Sequence, residues 1–201
     1  MHTAPIRKAD SGTGDQALVT DIITRAFADD SLLNWIAMQD ASRLKRIGRL
    51  VKTTVELFMP AGEPFIETGG KGCALWLHPS APGLSLWQTV RVIAMLGSVA
   101  GYRRLPEMIE FYSQFERLAP PEPAFHLFYL AVLPEARRQG MGSALLQPVL
   151  KKCDAERIPA YLENSNSANL KLYERHGFRL TRQWRITDNG PSIWCMYRDP
   201  R

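Results

Sequence analysis

The sequence alternates between two spacings of apolar residues. Helical spacing, with apolar side chains three or four positions apart, occurs in five segments: residues 15–28, 43–59, 84–118, 141–157 and 166–176. Glycine and proline interrupt helices, so we expect the third segment to break near residues 97–101 and again at Pro106. Pro148 is expected to kink the fourth, and Gly177 to stop the fifth.

Shorter segments between these helices have the composition of strands. They are residues 5–9, 65–68, 71–78, 125–132, 160–163, 178–187 and 192–198. Gly69-Gly70 and Asp188-Asn189-Gly190 predict turns between consecutive strands. The run Phe125–Val132 (FHLFYLAV) is apolar almost throughout, which is typical of a buried central strand. Residues 29–38 break the helical pattern, and we predict no element there.

Composition and charge narrow the class of protein. The chain has 201 residues, of which 45% are hydrophobic and 22% charged, as in ordinary globular proteins. This length suits one domain with a core of its own, so we expect a single domain over residues 1–201. The net charge of +5 points to an acidic ligand or simply to a mildly basic surface. The arginines form no long run and are not interleaved with aromatic residues, so we expect no nucleic-acid partner.

The number and spacing of the cysteines and the length of the apolar runs indicate the cellular compartment. Cys73, Cys153 and Cys195 are widely separated, so we expect no disulfide framework, no metal site, and a reducing cytoplasm. The first fifteen residues have no apolar core, and we expect no secretory signal. The longest apolar run, residues 90–100, contains Arg91 and is too short to cross a bilayer. We therefore expect no membrane contact.

The stretch LPEARRQGMGSALL, residues 133–146, carries candidate binding chemistry. It leads from a predicted strand into a predicted helix. Gly140 and Gly142 have no Cβ, so a ligand can approach the backbone closely. The first N–H groups of a helix carry partial positive charge, and Arg137 and Arg138 add full charges. Such a loop suits a phosphate or pyrophosphate. A tight turn with solvated arginines is the alternative.

Two common phosphate motifs are missing from this stretch. It has no Gly-Lys-Ser or Gly-Lys-Thr, so it is not a P-loop. Leu145 stands where a dinucleotide fingerprint would have its third glycine. The loop therefore needs another explanation.

Residues 132–142 read Val-x-Pro-x-x-Arg-x-x-Gly-x-Gly, and residues 166–178 read Asn-x-x-Asn-x-x-x-Tyr-Glu-x-x-Gly-Phe. Together they resemble the pyrophosphate motif and the second landmark of the GNAT superfamily of acyl-CoA N-acyltransferases. The resemblance is specific over residues 125–178 and looser before them. Tyr161-Leu162-Glu163-Asn164-Ser165 with Asn169 is similar to the branch that includes puromycin N-acetyltransferase, although we do not infer that substrate.

The resemblance implies an α/β (α+β) fold. A mixed central sheet of about six to seven strands, with helices on both faces, would split around acetyl-CoA after a bulged central strand. Residues 1–120 would form the acceptor side and residues 121–201 the acetyl-CoA core. The residues implied to bind acetyl-CoA are the strand end Leu130, Ala131 and Val132, the loop Arg137, Arg138, Gln139, Gly140, Met141, Gly142 and Ser143, and the later Asn166, Asn169 and Tyr173. No metal is implied.

The resemblance also suggests catalytic roles, each with a structural alternative. Tyr173 would protonate the leaving thiolate, or pack its ring against the sheet. His126 stands where related enzymes often carry a carboxylate base, and Glu163 is the other candidate base, with Glu122 a weaker third. Some members of the family have no strong base. Asn166 or Asn169 would instead cap a helix. We expect Cys153 to be a core residue rather than a nucleophile.

The acceptor would bind to the N-terminal half. We expect its pocket among residues 29–35, 76–78 and 84–118, where aromatic residues supply either a wall or core: Tyr102, Phe111, Tyr112 and Phe115. Asp29 and Asp30 would attract an amine or terminate a helix.

The leading hypothesis is transfer of acetyl from acetyl-CoA to the primary amine of a small molecule, by direct attack in a ternary complex. Two alternatives stay open: an acyl-CoA sensor without turnover, and a peptide or protein N-acetyltransferase. Homodimers occur in the family, but no interface can be read from the sequence.

Overall fold

A computed structural model of the protein describes residues 5–187 and 190–201. Seven strands form one sheet in the order β1-β2-β3-β4-β5-β7-β6. The strands are β1 (Ile6–Lys8), β2 (Gly62–Glu67), β3 (Gly72–Leu77), β4 (Phe125–Val132), β5 (Ala160–Asn164), β6 (Arg179–Arg185) and β7 (Ser192–Arg198). Neighbouring strands are antiparallel except for β4 and β5, which are parallel. The sheet is therefore mixed, as predicted.

Helices cover both faces of this sheet. They are α1 (Thr13–Ala26), α2 (Ser31–Ile36), α3 (Arg43–Phe58), α4 (Leu86–Ala100), α5 (Leu105–Glu116), α6 (Met141–Glu156) and α7 (Leu170–Arg175). One apolar core lies between the sheet and α6 and α7. The other lies on the opposite face, where α1, α3, α4 and α5 pack. A side chain of the central strands thus belongs to one face or the other.

The two central strands separate soon after they meet. Only two pairs join β4 to β5: Phe125 with Ala160 and His126 with Tyr161. From there to their carboxyl ends the strands are not paired with each other. The sheet is thus split along its middle, and one edge of β4 is left without a neighbouring strand.

A bulge in β4 lies just past this point. Leu127 pairs with Trp76 and Tyr129 with Leu75, so Phe128 is an extra residue on β4. The bulge directs both Phe128 and Tyr129 to the face of α3, with ring centroids 4.8 Å apart. The bulged and split sheet implied by the resemblance is therefore present.

The sequence pattern located most elements and missed one. The helix α2 was not predicted, because its six residues are too few to show a period, and it depends on a local cap: Asp30 accepts hydrogen bonds from the N–H groups of Leu32 and Leu33. The long predicted helix is indeed divided, at Gly101, where φ is +87°. The second expected break is wrong, because Pro106 lies in the first turn of α5, where its missing N–H costs nothing.

The expected helix over residues 166–176 is shorter, since residues 167–169 form a 3₁₀ turn before α7. Helix α6 continues through Pro148. The predicted turn at Asp188 and Asn189 lies outside the described residues.

The edge strand β1 is tied to α1 by an ion pair. Both guanidinium NH₂ groups of Arg7 donate to the carboxylate of Asp15, at 2.7 Å each, and the N–H of Asp10 donates to it at 2.8 Å. Mainly through the hydrogen bond from Arg7, these contacts lower the pKa of Asp15 to about 2.

We predict that Asp15→Asn lowers the midpoint of thermal unfolding at pH 7 by about 2 °C. An unpaired aspartate titrates near 3.9, so the stabilisation by the Asp15 carboxylate is present above that pH and lost as pH falls toward 2. The difference between wild type and variant should therefore shrink over this range, as measured by calorimetry. The control Asp29→Asn, at an exposed position, should show no such trend. A difference that does not change with pH would contradict the assignment.

Candidate active site

Two predicted catalytic residues meet where the sheet splits. His126 Nε2 lies 2.7 Å from Glu163 Oε2, and only 14% and 5% of the two side chains are exposed. His126 belongs to the last β4–β5 pair, whereas Glu163 lies two residues beyond Tyr161 in the separated part of β5. The hydrogen bond therefore crosses the split at its apex, and we refer to His126 and Glu163 as the apex pair.

Strand alternation places the apex pair on one face. Phe125 and Leu127 face α6, so His126 between them faces the other way. Ala160 and Leu162 also face α6, which directs Tyr161 and Glu163 to the face of His126.

The ring of Tyr161 packs against the face of the His126 imidazole. Its ring stacks on His126 at 4.4 Å between centroids and 10° between planes. Burial, with a contribution from the nearby Glu163 carboxylate, raises the pKa of Tyr161 above its ordinary value. Sequence analysis did not single Tyr161 out as a site residue, because only the register between β4 and β5 places it against His126.

Tyr173 lies on the other side of the sheet. It projects from α7 into the core beneath α6, where its ring makes an edge contact with Phe178 at 6.0 Å. Burial raises the pKa of its hydroxyl. Within residues 5–187 and 190–201 no group hydrogen-bonds to this hydroxyl, and no hydrogen bond or ring contact links Tyr173 to His126 or Glu163. Its packing role is thus evident, and its role as an acid stays a prediction.

The glycine-rich loop between β4 and α6 presents unused backbone donors. Arg138 and Gly140 have φ values of +60° and +84°, which turn the chain sharply into α6. The N–H groups of residues 138–143 have no acceptor in the part of the chain that the structure describes. Six unpaired N–H groups at a helix start are backbone donors of the kind that bind anions.

Arg137 shapes this loop rather than extending from it. Its Nε donates to the carbonyl of Val132 at 3.2 Å, and its Nη2 donates to the carbonyl of Ala26, at the end of α1, at 3.0 Å. Gln139 donates to the carbonyl of Glu135. Arg138 is exposed beside the N–H groups, so its charge is available to a ligand. Leu130, Ala131 and Val132 lie at the open end of β4.

Close packing sets the position of α6. A Cβ on Gly72 of β3 would come within 2.6 Å of Met141 Sδ and 3.2 Å of the carbonyl oxygen of Ala131. The missing side chain thus allows the first turn of α6 to lie directly on the sheet, next to the split.

The end of β5 is held by amide side chains. Asn166 Oδ1 accepts from the N–H of Ala168, which supports the capping alternative for Asn166. The buried Asn164, which was not predicted, donates to the carbonyl of Asn166 and accepts from its N–H. Asn169 is exposed, and its side chain caps no helix. Among the described residues Asn169 is therefore the asparagine better placed to meet a ligand.

On the acceptor side the expectation for Trp76 is wrong, and the structure favours the structural alternative for Asp30 and Phe111. Trp76 is fully buried in the core beneath α6, on the face away from the apex pair. Asp30 caps α2 and accepts a hydrogen bond from Ser165, so its carboxylate is already engaged. Phe111 is core: it contacts Trp35 at 5.5 Å and stacks on Trp184 of β6 at 6.2 Å. Tyr102 is 71% exposed and lines a cavity that contains neither residue of the apex pair.

Two cavities lie on the face of the sheet that α1, α3, α4 and α5 cover. One, of about 420 Å³, is lined by His126 and Tyr161 together with the segments that flank β3 and β4. The other, of about 1000 Å³, lies between α2 and the connection from α4 to α5 and contains neither residue. Cys153 is buried, which raises the pKa of its thiol to about 12, as suits a core residue.

Within the described ranges, no cluster of three or more histidine, cysteine, aspartate or glutamate side chains has the arrangement to hold a metal ion. Nor is any helix there long and apolar enough to span a membrane.

Comparisons with known proteins find relatives of this chain. The acetyltransferase (GNAT) family matches residues 69–178, more than half of the chain. An uncharacterized N-acetyltransferase of Schizosaccharomyces pombe is 34% identical over 79 residues, 38% of this chain and 32% of that protein. An N-alpha-acetyltransferase of Sulfurisphaera tokodaii is 33% identical over 87 residues, 41% of this chain and 52% of that protein. The matches thus span about a third and about half of these relatives.

A solved structure shows the same fold along the whole chain. The structure of a protein named histone acetyltransferase and related acetyltransferase, from Corynebacterium glutamicum, superposes with a TM-score of 0.74 at 23% identity. The superposition covers 100% of this chain and 98% of that one. Together with the family match, the split sheet and the loop of free N–H groups, this shows that the chain belongs to the GNAT family of acetyltransferases.

Proposed function

We propose that this protein transfers an acetyl group from acetyl-CoA to the primary amine of a small molecule, by direct attack of the amine on the thioester. The observation that carries the proposal is the apex pair, a histidine hydrogen-bonded to a carboxylate at 2.7 Å where the sheet splits. A base at this point would face the side of the sheet that carries α3 and would also lie at the opening of the split.

The residues of the loop fit the diphosphate of acetyl-CoA. The unpaired N–H groups of residues 138–143 would donate to it, and Arg138 would add charge. The unpaired edge of β4 at Leu130, Ala131 and Val132 would hydrogen-bond the pantetheine amides as a neighbouring strand does. Asn169 would bind close to the same arm. Acetyl-CoA supplies the activated acetyl group.

The apex pair would take the proton of the attacking amine. A carboxylate only accepts hydrogen bonds, so Glu163 favours the tautomer in which Nε2 carries the hydrogen and Nδ1 keeps a lone pair. Nδ1 can then accept a proton from the ammonium form, and the Glu163 charge stabilises the resulting imidazolium. Glu163 is thus a positioning residue, and the stacked ring of Tyr161 restricts rotation of the His126 imidazole.

The acid would act from the opposite face. As the N–C bond forms and the C–S bond breaks, the thiolate gains a proton, for which Tyr173 is the candidate donor. Because burial raises its pKa, Tyr173 carries its proton throughout the physiological range. Base and acid on opposite faces of the split suit an amine that enters from one side and a thiol that leaves on the other.

The helical insertion between β3 and β4 favours a small acceptor. Phe111 of α5 packs between Trp35 of α2 and Trp184 of β6, and this covers the sheet face over which an extended chain would lie. A peptide or protein acceptor stays the second candidate, because the S. tokodaii relative is named an N-alpha-acetyltransferase. A sensor without turnover would require neither the apex pair nor Tyr173.

A negative charge added in the first turn of α6 should weaken acetyl-CoA binding. We predict a loss of about 100-fold for Gly142→Asp, because the new charge repels the diphosphate and the side chain crowds Leu172, 3.2 Å from the added Cβ. The measurement is the rise in the unfolding midpoint at saturating CoA. The control is Gly14→Asp, which adds the same charge to the exposed first turn of α1, where a Cβ meets nothing within 4 Å. Equal rises in both variants would contradict the proposed diphosphate site.

Removal of the base should change both the rate and its pH dependence. We expect His126→Ala to lower kcat/KM for a reactive primary amine about 100-fold at pH 7, measured as thiol release from acetyl-CoA. Without its base the enzyme depends on free amine, so the loss should diminish as pH rises toward the pKa of the amine. The control His176→Ala, at the end of α7, should stay within about threefold. A His126→Ala rate within twofold of wild type at pH 7 would overturn the role of His126.

A further inference from the structure

The cavity of about 420 Å³ next to the apex pair has walls of an unusual kind. Five prolines line it, in one segment that follows β3 and one that precedes β4: Pro79, Pro82, Pro120, Pro121 and Pro123. Proline has no N–H, so these walls offer few backbone donors. Phe58 and Tyr161 add aromatic surface, and Phe58 continues into Phe128 at 4.8 Å between rings.

The charge of the cavity differs from that of the chain. The protein has a net charge of +5, yet no lysine or arginine is among the described residues that line this cavity. Glu122 is its only acidic lining residue and lies exposed at the rim. A carboxylate that entered would meet no lysine or arginine, and the donors available to it are side chains such as His78 and Gln88 rather than the proline walls. An ammonium group would be attracted by Glu122.

The second cavity differs in its lining. Arg103 and Arg104 line it together with Asp40, which is paired with Arg46, and it contains no residue of the apex pair. An amine bound there would therefore not meet His126. The smaller cavity is therefore the better acceptor site, and its volume is in the range of about 300–1000 Å³ that is usual for small ligands.

We infer that the proline-walled cavity is the acceptor site and that it selects primary amines on an uncharged, flat apolar body, against amino acids and peptides. This inference rests on the proposed acetyl transfer. Glu122 would draw in the ammonium form, and His126 would receive its proton at the floor. Apolar rings would pack on Phe58 and the prolines, while the hydrogen-bonding groups of a peptide would stay unpaired.

A matched pair of acceptors tests the selection. 2-Phenylethylamine and phenylalanine share the same ring and amine and differ by one carboxylate. We expect kcat/KM to be about 100-fold higher for 2-phenylethylamine, because the carboxylate of phenylalanine would enter a mainly apolar cavity that has no lysine or arginine and would be repelled by Glu122. A short peptide with a free N-terminus should react no better than phenylalanine. Equal or faster reaction of phenylalanine or the peptide would overturn the inference and leave acetyl transfer itself intact.

A second test uses the charge at the rim. Glu122→Lys should raise KM for 2-phenylethylamine about fivefold and change kcat less than twofold, because the side chain acts on entry and not on the reacting atoms. Glu116→Lys makes the same charge change at an exposed position at the end of α5, outside the cavity lining, and should leave KM unchanged. Both positions are exposed, so both variants should fold, and equal unfolding midpoints would verify it.

The outcomes separate the two proposals. Equal KM changes in Glu122→Lys and Glu116→Lys would overturn the cavity assignment, because only net charge would then matter. No thiol release with any amine, in a protein that still binds CoA, would overturn the proposed function and this inference with it.

Discussion

The strands β4 and β5 stay together for only two residue pairs, and the rest of the site depends on their separation. In a continuous sheet the backbone groups on that edge of β4 would be satisfied by β5. Here the pairing ends at His126 and Tyr161, so those groups remain available. Unpaired backbone donors and acceptors are costly unless something binds them, so the open edge is suited to an extended, amide-bearing ligand.

The surrounding structure keeps the split open and completes the site. The bulge at Phe128 adds one residue to β4 and directs the side chains of Phe128 and Tyr129 toward the face that α3 covers. At the open end, Arg137 links the end of β4 to α1 and fixes the loop whose N–H groups are free. At the closed end, the hydrogen bond between His126 and Glu163 joins the strands through side chains instead of backbone. The loop of free N–H groups and the candidate base thus lie at the two ends of one opening.

The pattern of apolar residues and glycines along the chain was sufficient to predict those parts of this site that lie within a single strand or loop. The apolar run of β4 has the predicted bounds, and the loop of residues 137–143 leads into α6 as its glycines indicated. His126 and Glu163 were both candidates, but their contact depends on the register of two strands 37 positions apart, which no local pattern encodes.

The errors have physical reasons as well. Every residue of β3 up to Trp76 is buried, so alternation does not tell which face Trp76 occupies. For the aromatic residues of α5 the sequence left two alternatives open, because helical spacing is the same in a pocket wall and in a core, and Phe111 lies in the core. The cavity beside His126 is built by two proline segments about 40 residues apart, which have no periodicity to connect them.

The most direct test of the central claim is a crystal structure of the protein with CoA bound. We expect the diphosphate within hydrogen-bonding distance of the N–H groups of residues 138–143, the pantetheine arm along the free edge of β4, and the sulfur near the apex pair. A diphosphate bound elsewhere, or an arm that does not enter the split between β4 and β5, would contradict the account.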